Sequence, residues 1–93
     1  MIRSYRCKHT RALHEDDVCR RDWRNFQSIA LRKLDMVDAA SELSDLRSPS
    51  GNRLEKLRGD REGQWSIRIN SQWRVCFRWA ETGPEDVEIV DYH

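Results

Sequence analysis

Long apolar runs are missing from this chain: none exceeds a few residues, against the ~20 that a membrane-spanning helix requires. The opening Met1-Ile2-Arg3-Ser4-Tyr5-Arg6 lacks the apolar core of a signal peptide, so the expected location is the cytoplasm, with no membrane partner. Cysteine is sparse and odd in number. Cys7, Cys19 and Cys76 do not reach the density of a secreted disulfide scaffold and read as free thiols. Cys7, His9, His14 and Cys19 can be drawn as a zinc set, but their spacing follows no familiar ligand pattern, so neither metal nor cofactor is expected. Repeats, linkers and low-complexity tails are also absent.

What is present fits one small domain over residues 1–93. A chain of this size buries only about 60–70% of the surface its unfolded form exposes, so one modest core is the most it supports. Apolar residues make up 38% and charged residues 35%, yet the four Trp and the aliphatic residues recur periodically, which argues against global disorder. The net charge of +1 hides a gradient: residues 53–78 carry seven Lys/Arg and three Asp/Glu, whereas residues 79–93 carry no Lys/Arg and five Asp/Glu. A basic middle segment suits a polyanion, because Lys and Arg neutralise phosphates. The same charges also suit a solvated, salt-bridged sheet face.

The stretch 53–78 carries the clearest fold signal. Trp65, Ile67 and Ile69 alternate with Ser66, Arg68 and Asn70, then Trp73, Val75, Phe77 and Trp79 alternate with Arg74, Cys76 and Arg78. That period of two predicts two strands buried on one face, joined by a tight turn at Asn70-Ser71. Before them, Met1–Arg6 reads as a short first strand and Lys8–Asp16 as a short helix. From Asp22, a suitable N-cap, Phe26, Ala30, Leu34, Val37, Ala40 and Leu43 recur at helical spacing, which predicts a main helix of about five to six turns. Ser48-Pro49-Ser50-Gly51-Asn52 ends it. Arg53–Leu57 reads as a strand with Lys56 and Glu55 on opposite faces, residues 80–85 as a loop, and Val87–His93 as a final strand. The order predicts an α+β fold, two N-terminal helices on one face of a small, mostly antiparallel sheet, with the other face open to a ligand.

The chemistry these residues could perform is RNA cleavage without a metal. Attack of a ribose 2′-OH on the adjacent phosphate needs a base, cations for the phosphorane charge and an acid for the 5′-oxygen. Arg58, Arg61, Arg68 and Arg74 are fork-shaped donors fitted to phosphate, and Lys56 adds a point charge. Asp91, Tyr92 and His93 place proton-handling groups at adjacent positions, His93 titrating near neutrality and Tyr92 able to stack on a base. Each has a plainer role available: Tyr92 as a last core aromatic, Arg68 and Arg74 as partners of Glu62, Glu55 or Glu88, and Arg61 as a partner of Asp60 or Glu62.

Four segments together resemble one family: Leu31-Arg-Lys-Leu-Asp-Met-Val-Asp-Ala-Ala-Ser-Glu-Leu-Ser-Asp-Leu-Arg47, Leu57-Arg-Gly-Asp-Arg-Glu-Gly-Gln-Trp-Ser-Ile67, Asn70-Ser-Gln-Trp-Arg-Val-Cys-Phe-Arg78 and Val90-Asp-Tyr-His93. They resemble the HigB toxins of the RelE superfamily of toxin–antitoxin systems, in register over nearly the whole chain. The resemblance implies a RelE-like fold and a metal-independent endoribonuclease that cuts mRNA in the ribosomal A site and arrests growth. It implies a HigA-like helix-turn-helix antitoxin, and operator DNA contacted only through that complex. By position, Asp91, Tyr92 and His93 match the family's terminal active-site group and Arg74 its strand arginine. Arg58 stands where many members have Lys, which suits phosphate stabilisation better than acid catalysis. Glu55 stands where the family's active site has His, and it could act as a base sharing proton work with His93. Two further readings stay open at this point: a catalytically weak RelE-fold protein acting through antitoxin binding and operon autoregulation, and an RNA-binding domain without toxicity.

Overall fold

The computed structural model describes residues 1–91. Two helices, α1 (Lys8–Asp16) and α2 (Gln27–Ala39), lie on one face of a four-stranded antiparallel sheet, β1 (Glu55–Lys56), β2 (Gln64–Arg68), β3 (Trp73–Ala80) and β4 (Gly83–Asp91), in that spatial order. This is the expected α+β architecture.

The sheet register follows from the alternation. Ile67 pairs with Val75 and Val75 with Ile89, and all three point into the core against Leu13, Ala30, Leu34 and Val37 of the helices. Residues directly opposite one another share a face, so Glu55, Ser66, Cys76 and Glu88 form one row on the other side, and Arg68, Arg74 and Val90 a second. A bulge sets Asp86 and Val87 against Phe77, and Asp86 takes the positive φ of 52° found at such irregularities.

The first strand is reduced to a Tyr5–Val87 parallel bridge. Residues 3–6 run beside β4, with Arg3 N–H donating to Pro84 O (2.8 Å), Val87 N–H to Ser4 O (3.1 Å) and Arg6 N–H to Val87 O (3.1 Å).

The main helix is shorter than its stripe predicts. Residues 21–26 form a 3-10 turn, Phe26 departs from helical geometry at φ −126°, ψ 17°, and regular helix runs only over Gln27–Ala39. In a 3-10 turn positions i and i+3 eclipse. Trp23 and Phe26 are thereby brought to the same side, where both rings contact Trp73. At the other end Ala40 is extended, the Asp45 carboxylate takes the N–H groups of Ser41 and Glu42, and Leu43 begins a separate 3-10 turn that buries Leu46.

The buried Lys33 ammonium donates to Asn52, whose amide holds the carbonyls of Leu46 (3.2 Å) and Ser48 (3.3 Å). This fixes the segment leading into β1. The expected strand 53–57 shrinks to two paired residues, and the expected loop 80–85 to the two-residue turn Glu81-Thr82. The Asn70-Ser71 turn spans residues 69–72, where Asn70 Oδ1 accepts from the N–H groups of Gln72 and Trp73 at 2.8 Å each.

Candidate active site

The sheet face away from the helices is not bare, which corrects the expectation of burial on one side only. Ser66 and Cys76 are fully buried there, with Gln64 and Leu57 nearly so. Long charged side chains roof them, since Arg stems cover apolar surface while their heads stay polar. Arg61 donates to Gln64 Oε1 (3.1 Å) and Glu88 Oε1 (3.2 Å), and Arg6 pairs with the other Glu88 oxygen at 3.3 Å. Beside them, Arg74 reaches Glu55 at 3.4 Å and the Arg53 carbonyl at 2.8 Å. Burial pushes the Cys76 thiol up to about 11, partly offset by Arg61 and Arg74. It is therefore neutral at physiological pH and unsuited to attack as a thiolate.

Beside the roof lies a basic pocket of about 250 Å³ lined by Arg53, Arg68, Asn70, Ser71 and Arg74. Arg68 and Arg74 lie directly opposite each other. Like charges in that register repel, and an anion between them would relieve the repulsion. The Arg68 Nε donates to Asn70 O at 3.1 Å, which holds the side chain back along its own strand end. Among the described residues no acidic one lines the pocket.

The predicted site residues are spread over several places. Glu55, Arg61, Arg68 and Arg74 share the outer face. Arg58 is exposed just before the 3-10 turn Gly59–Arg61 and lines a neighbouring cleft with Glu55, Lys56 and Leu57. Strand alternation sets Lys56 across from Trp65, on the other face of β1 from Glu55. Asp91 closes β4 opposite Trp73 and accepts from Gln72 Nε2 at 3.0 Å. Tyr92 and His93 lie outside the described residues. Of the pairings weighed for the arginines, Arg74–Glu55 forms, while Arg61 takes Glu88 rather than Asp60 or Glu62.

Sequence reasoning passed over Arg53, Asn70 and Ser71 as pocket walls, and Arg6 as a partner of Glu88. Arg53 and Asn70 sit beside the β1 and hairpin signals and could have been found by asking what flanks the strand ends. Arg6 is adjacent only through the fold. His14, a member of the zinc set considered above, is engaged instead between the Tyr5 hydroxyl and Asp35. No helix among the described residues is long and apolar enough to cross a membrane.

The described residues thus form a small α+β domain with Arg53, Arg68 and Arg74 converging on a basic pocket. The model of the RelE-like toxins HigB of type II toxin–antitoxin systems matches residues 3–93, and the chain belongs to this HigB-like toxin family. It is similar to Toxin HigB-1 of Vibrio cholerae, 46% identical over 57 residues (61% of this chain, 60% of that protein), and to an uncharacterized protein of Haemophilus influenzae, 40% identical over 55 residues (59% and 54%). The matched stretch thus spans little more than half the length of those two relatives. Endoribonuclease HigB of Proteus vulgaris is 30% identical over 93 residues, the whole of both chains.

Proposed function

We propose that this chain is the toxin of a type II toxin–antitoxin pair and acts as an endoribonuclease on mRNA in the ribosomal A site. The observation that carries the reading is the basic pocket of Arg53, Arg68 and Arg74 beside Glu55. It gives a bridging phosphate several guanidinium donors, with a carboxylate adjacent for the 2′-OH. A guanidinium stays charged at any physiological pH and presents paired donors. Arg74 and Arg68 therefore suit charge stabilisation as the phosphorane forms, and Arg61 and Arg58 suit the flanking phosphates. Asp91, the last residue of β4, and the two residues that follow it in sequence, Tyr92 and His93, supply the proton-handling groups. Full-length likeness to a protein named an endoribonuclease supports the same reading. A HigA-like helix-turn-helix antitoxin is the partner, and operator DNA is reached through that complex.

A second reading draws on one contact. Glu55 lies on Arg74 at 3.4 Å and partly neutralises the cation that would meet phosphate. On that reading the chain cuts RNA poorly and acts mainly through antitoxin binding and operon control.

One experiment separates them. Wild type and His93→Ala are induced in a bacterial host, and 5′ ends are mapped on translated transcripts and on the same transcripts with initiation blocked. Translation-dependent cuts lost in the variant are expected. Unaffected growth with no new ends at equal expression would favour the regulatory reading.

A further inference from the structure

Arg53 belongs to two pockets. It walls the basic pocket described above, and it also walls a neighbouring opening of about 340 Å³ formed with Arg47, Ser50, Leu54 and Trp65. Among the described residues no acidic one lines the second opening. Among the described residues neither Arg47 nor Arg53 forms an ion pair. Trp65 packs against the core with part of its surface and leaves the rest accessible. A partly exposed indole lining one opening with two guanidinium-bearing residues is the combination that holds single-stranded nucleic acid, through base stacking and phosphate neutralisation.

The backbone at Arg53 adds a second, independent sign. It sits in the left-handed region at φ 47°, ψ 55°, which few residues other than Gly adopt. Its N–H donates to Ser50 O (3.2 Å) and its carbonyl accepts from Arg74 (2.8 Å), so the surroundings impose this conformation. Glycine would occupy the position without strain. The conformation fixes the base of this long cationic side chain where the two pockets meet, as strained positions at ligand sites do.

We propose that Arg47, Arg53 and Trp65 form a second nucleotide subsite, in which the RNA strand leaving the basic pocket passes over Arg53 and stacks a base on Trp65. The subsite rests on the RNA-cleavage reading and extends it around the β1 edge of the sheet. Its ligand is a nucleotide of the same strand, not a separate RNA.

The test titrates the full chain against fluorescently labelled 2′-O-methyl RNA of three and six nucleotides, which lacks the hydroxyl needed for cutting. One added stack is expected to make wild type bind the hexamer about tenfold more tightly than the trimer. Arg47→Gln and Trp65→Leu should bring that ratio towards one. Arg53→Gly should do the same while its melting temperature stays at or above wild type. A purely structural role for Arg53 predicts the reverse, a lower melting temperature with the ratio intact. An unchanged ratio in Arg47→Gln and Arg53→Gly overturns the subsite, as does a wild-type ratio of one with the trimer still bound. Wild type binding neither RNA also overturns the subsite, whereas the cleavage reading stands or falls on the translation-dependent 5′ ends.

Discussion

The Arg74 guanidinium donates to the backbone carbonyl of Arg53 at 2.8 Å while reaching the Glu55 carboxylate at 3.4 Å. One side chain from a central strand thus fixes both the backbone entering the edge strand and that strand's acidic residue. Because Arg74 is largely buried and stands directly across from Arg68, its planar fork sets the shape of the basic pocket as well as its charge.

Arg74→Lys keeps the charge but not the fork. An ammonium on a flexible stem is expected to lose the Arg53 carbonyl or Glu55 contact. Cleavage of a translated mRNA should fall by at least about tenfold, with a stability loss of about 1–3 kcal/mol because a largely buried charged donor loses a hydrogen bond. Single-turnover cleavage and urea unfolding measure the two. Wild-type cleavage in the variant would show that only charge is needed there.

Glu55 and His93 are expected to divide the proton transfers. Loss of a general acid or base costs about 10²–10⁴-fold, so His93→Ala should abolish most cleavage and Glu55→Gln should reduce it partially. Full activity in Glu55→Gln beside complete loss in His93→Ala would remove Glu55 from the reaction and leave it as a partner of Arg74.

Alkaline stability carries the signature of two buried protons. Burial, with Glu15 and Asp38 adding to it, pushes the Tyr5 phenol from 10 up to about 12. Burial likewise pushes the Cys76 thiol from 9 to about 11. Both groups hold a proton in the folded state that the unfolded chain gives up earlier. Their stabilisation is complete below pH 9 and is lost as pH rises, through about 11 for Cys76 and about 12 for Tyr5. Tyr5→Phe should flatten the decline above pH 10, and removing the hydroxyl's bond to His14 should cost about 1 kcal/mol at neutral pH. Denaturant midpoints measured across pH 7–12 give both quantities, and curves that superimpose above pH 10 would count against the assignment.

Gly83 follows the turn at Glu81-Thr82 with φ +130°, and a Cβ there would lie 2.8 Å from the Met1 carbonyl oxygen. Gly83→Ala is therefore expected to lose about 1–3 kcal/mol, through backbone strain and displacement of the N-terminal segment. Amide exchange at Arg6 and Val87 should speed up locally. Wild-type protection at both would contradict that account.

Much of this fold was legible because alternation in β2 and β3 is clean: Ile67, Val75 and Phe77 could only face inward. The helix was overestimated since its stripe continues through Phe26 and Leu43, residues whose burial is real but is achieved in 3-10 turns. Composition does not separate these geometries, because both place apolar residues three positions apart. The outer face was misread for a different reason. Arginine counts as polar in a periodic pattern, yet on this face Arg61 and Arg74 stand near a Cys76 that is fully buried, as is Ser66. Of the residues lining the clefts near β1, Arg58 is suggested by the charge of the chain itself and Glu55 only by the family resemblance. Arg53 as the wall of two pockets, and Arg6 on Glu88, depend on which strand lies beside which.

Residues 3–6 along β4 bear on how the molecule meets copies of itself. The longest strand would otherwise present a row of unpaired backbone groups at the sheet margin, the feature through which β-proteins join laterally into aggregates. The opposite margin, β1, is only two residues long. Both borders of the sheet are thereby blunted without a dedicated structural element. A variant lacking residues 1–6 should scatter light at concentrations where the full chain stays clear, and equal clarity would show that β4 needs no such cover.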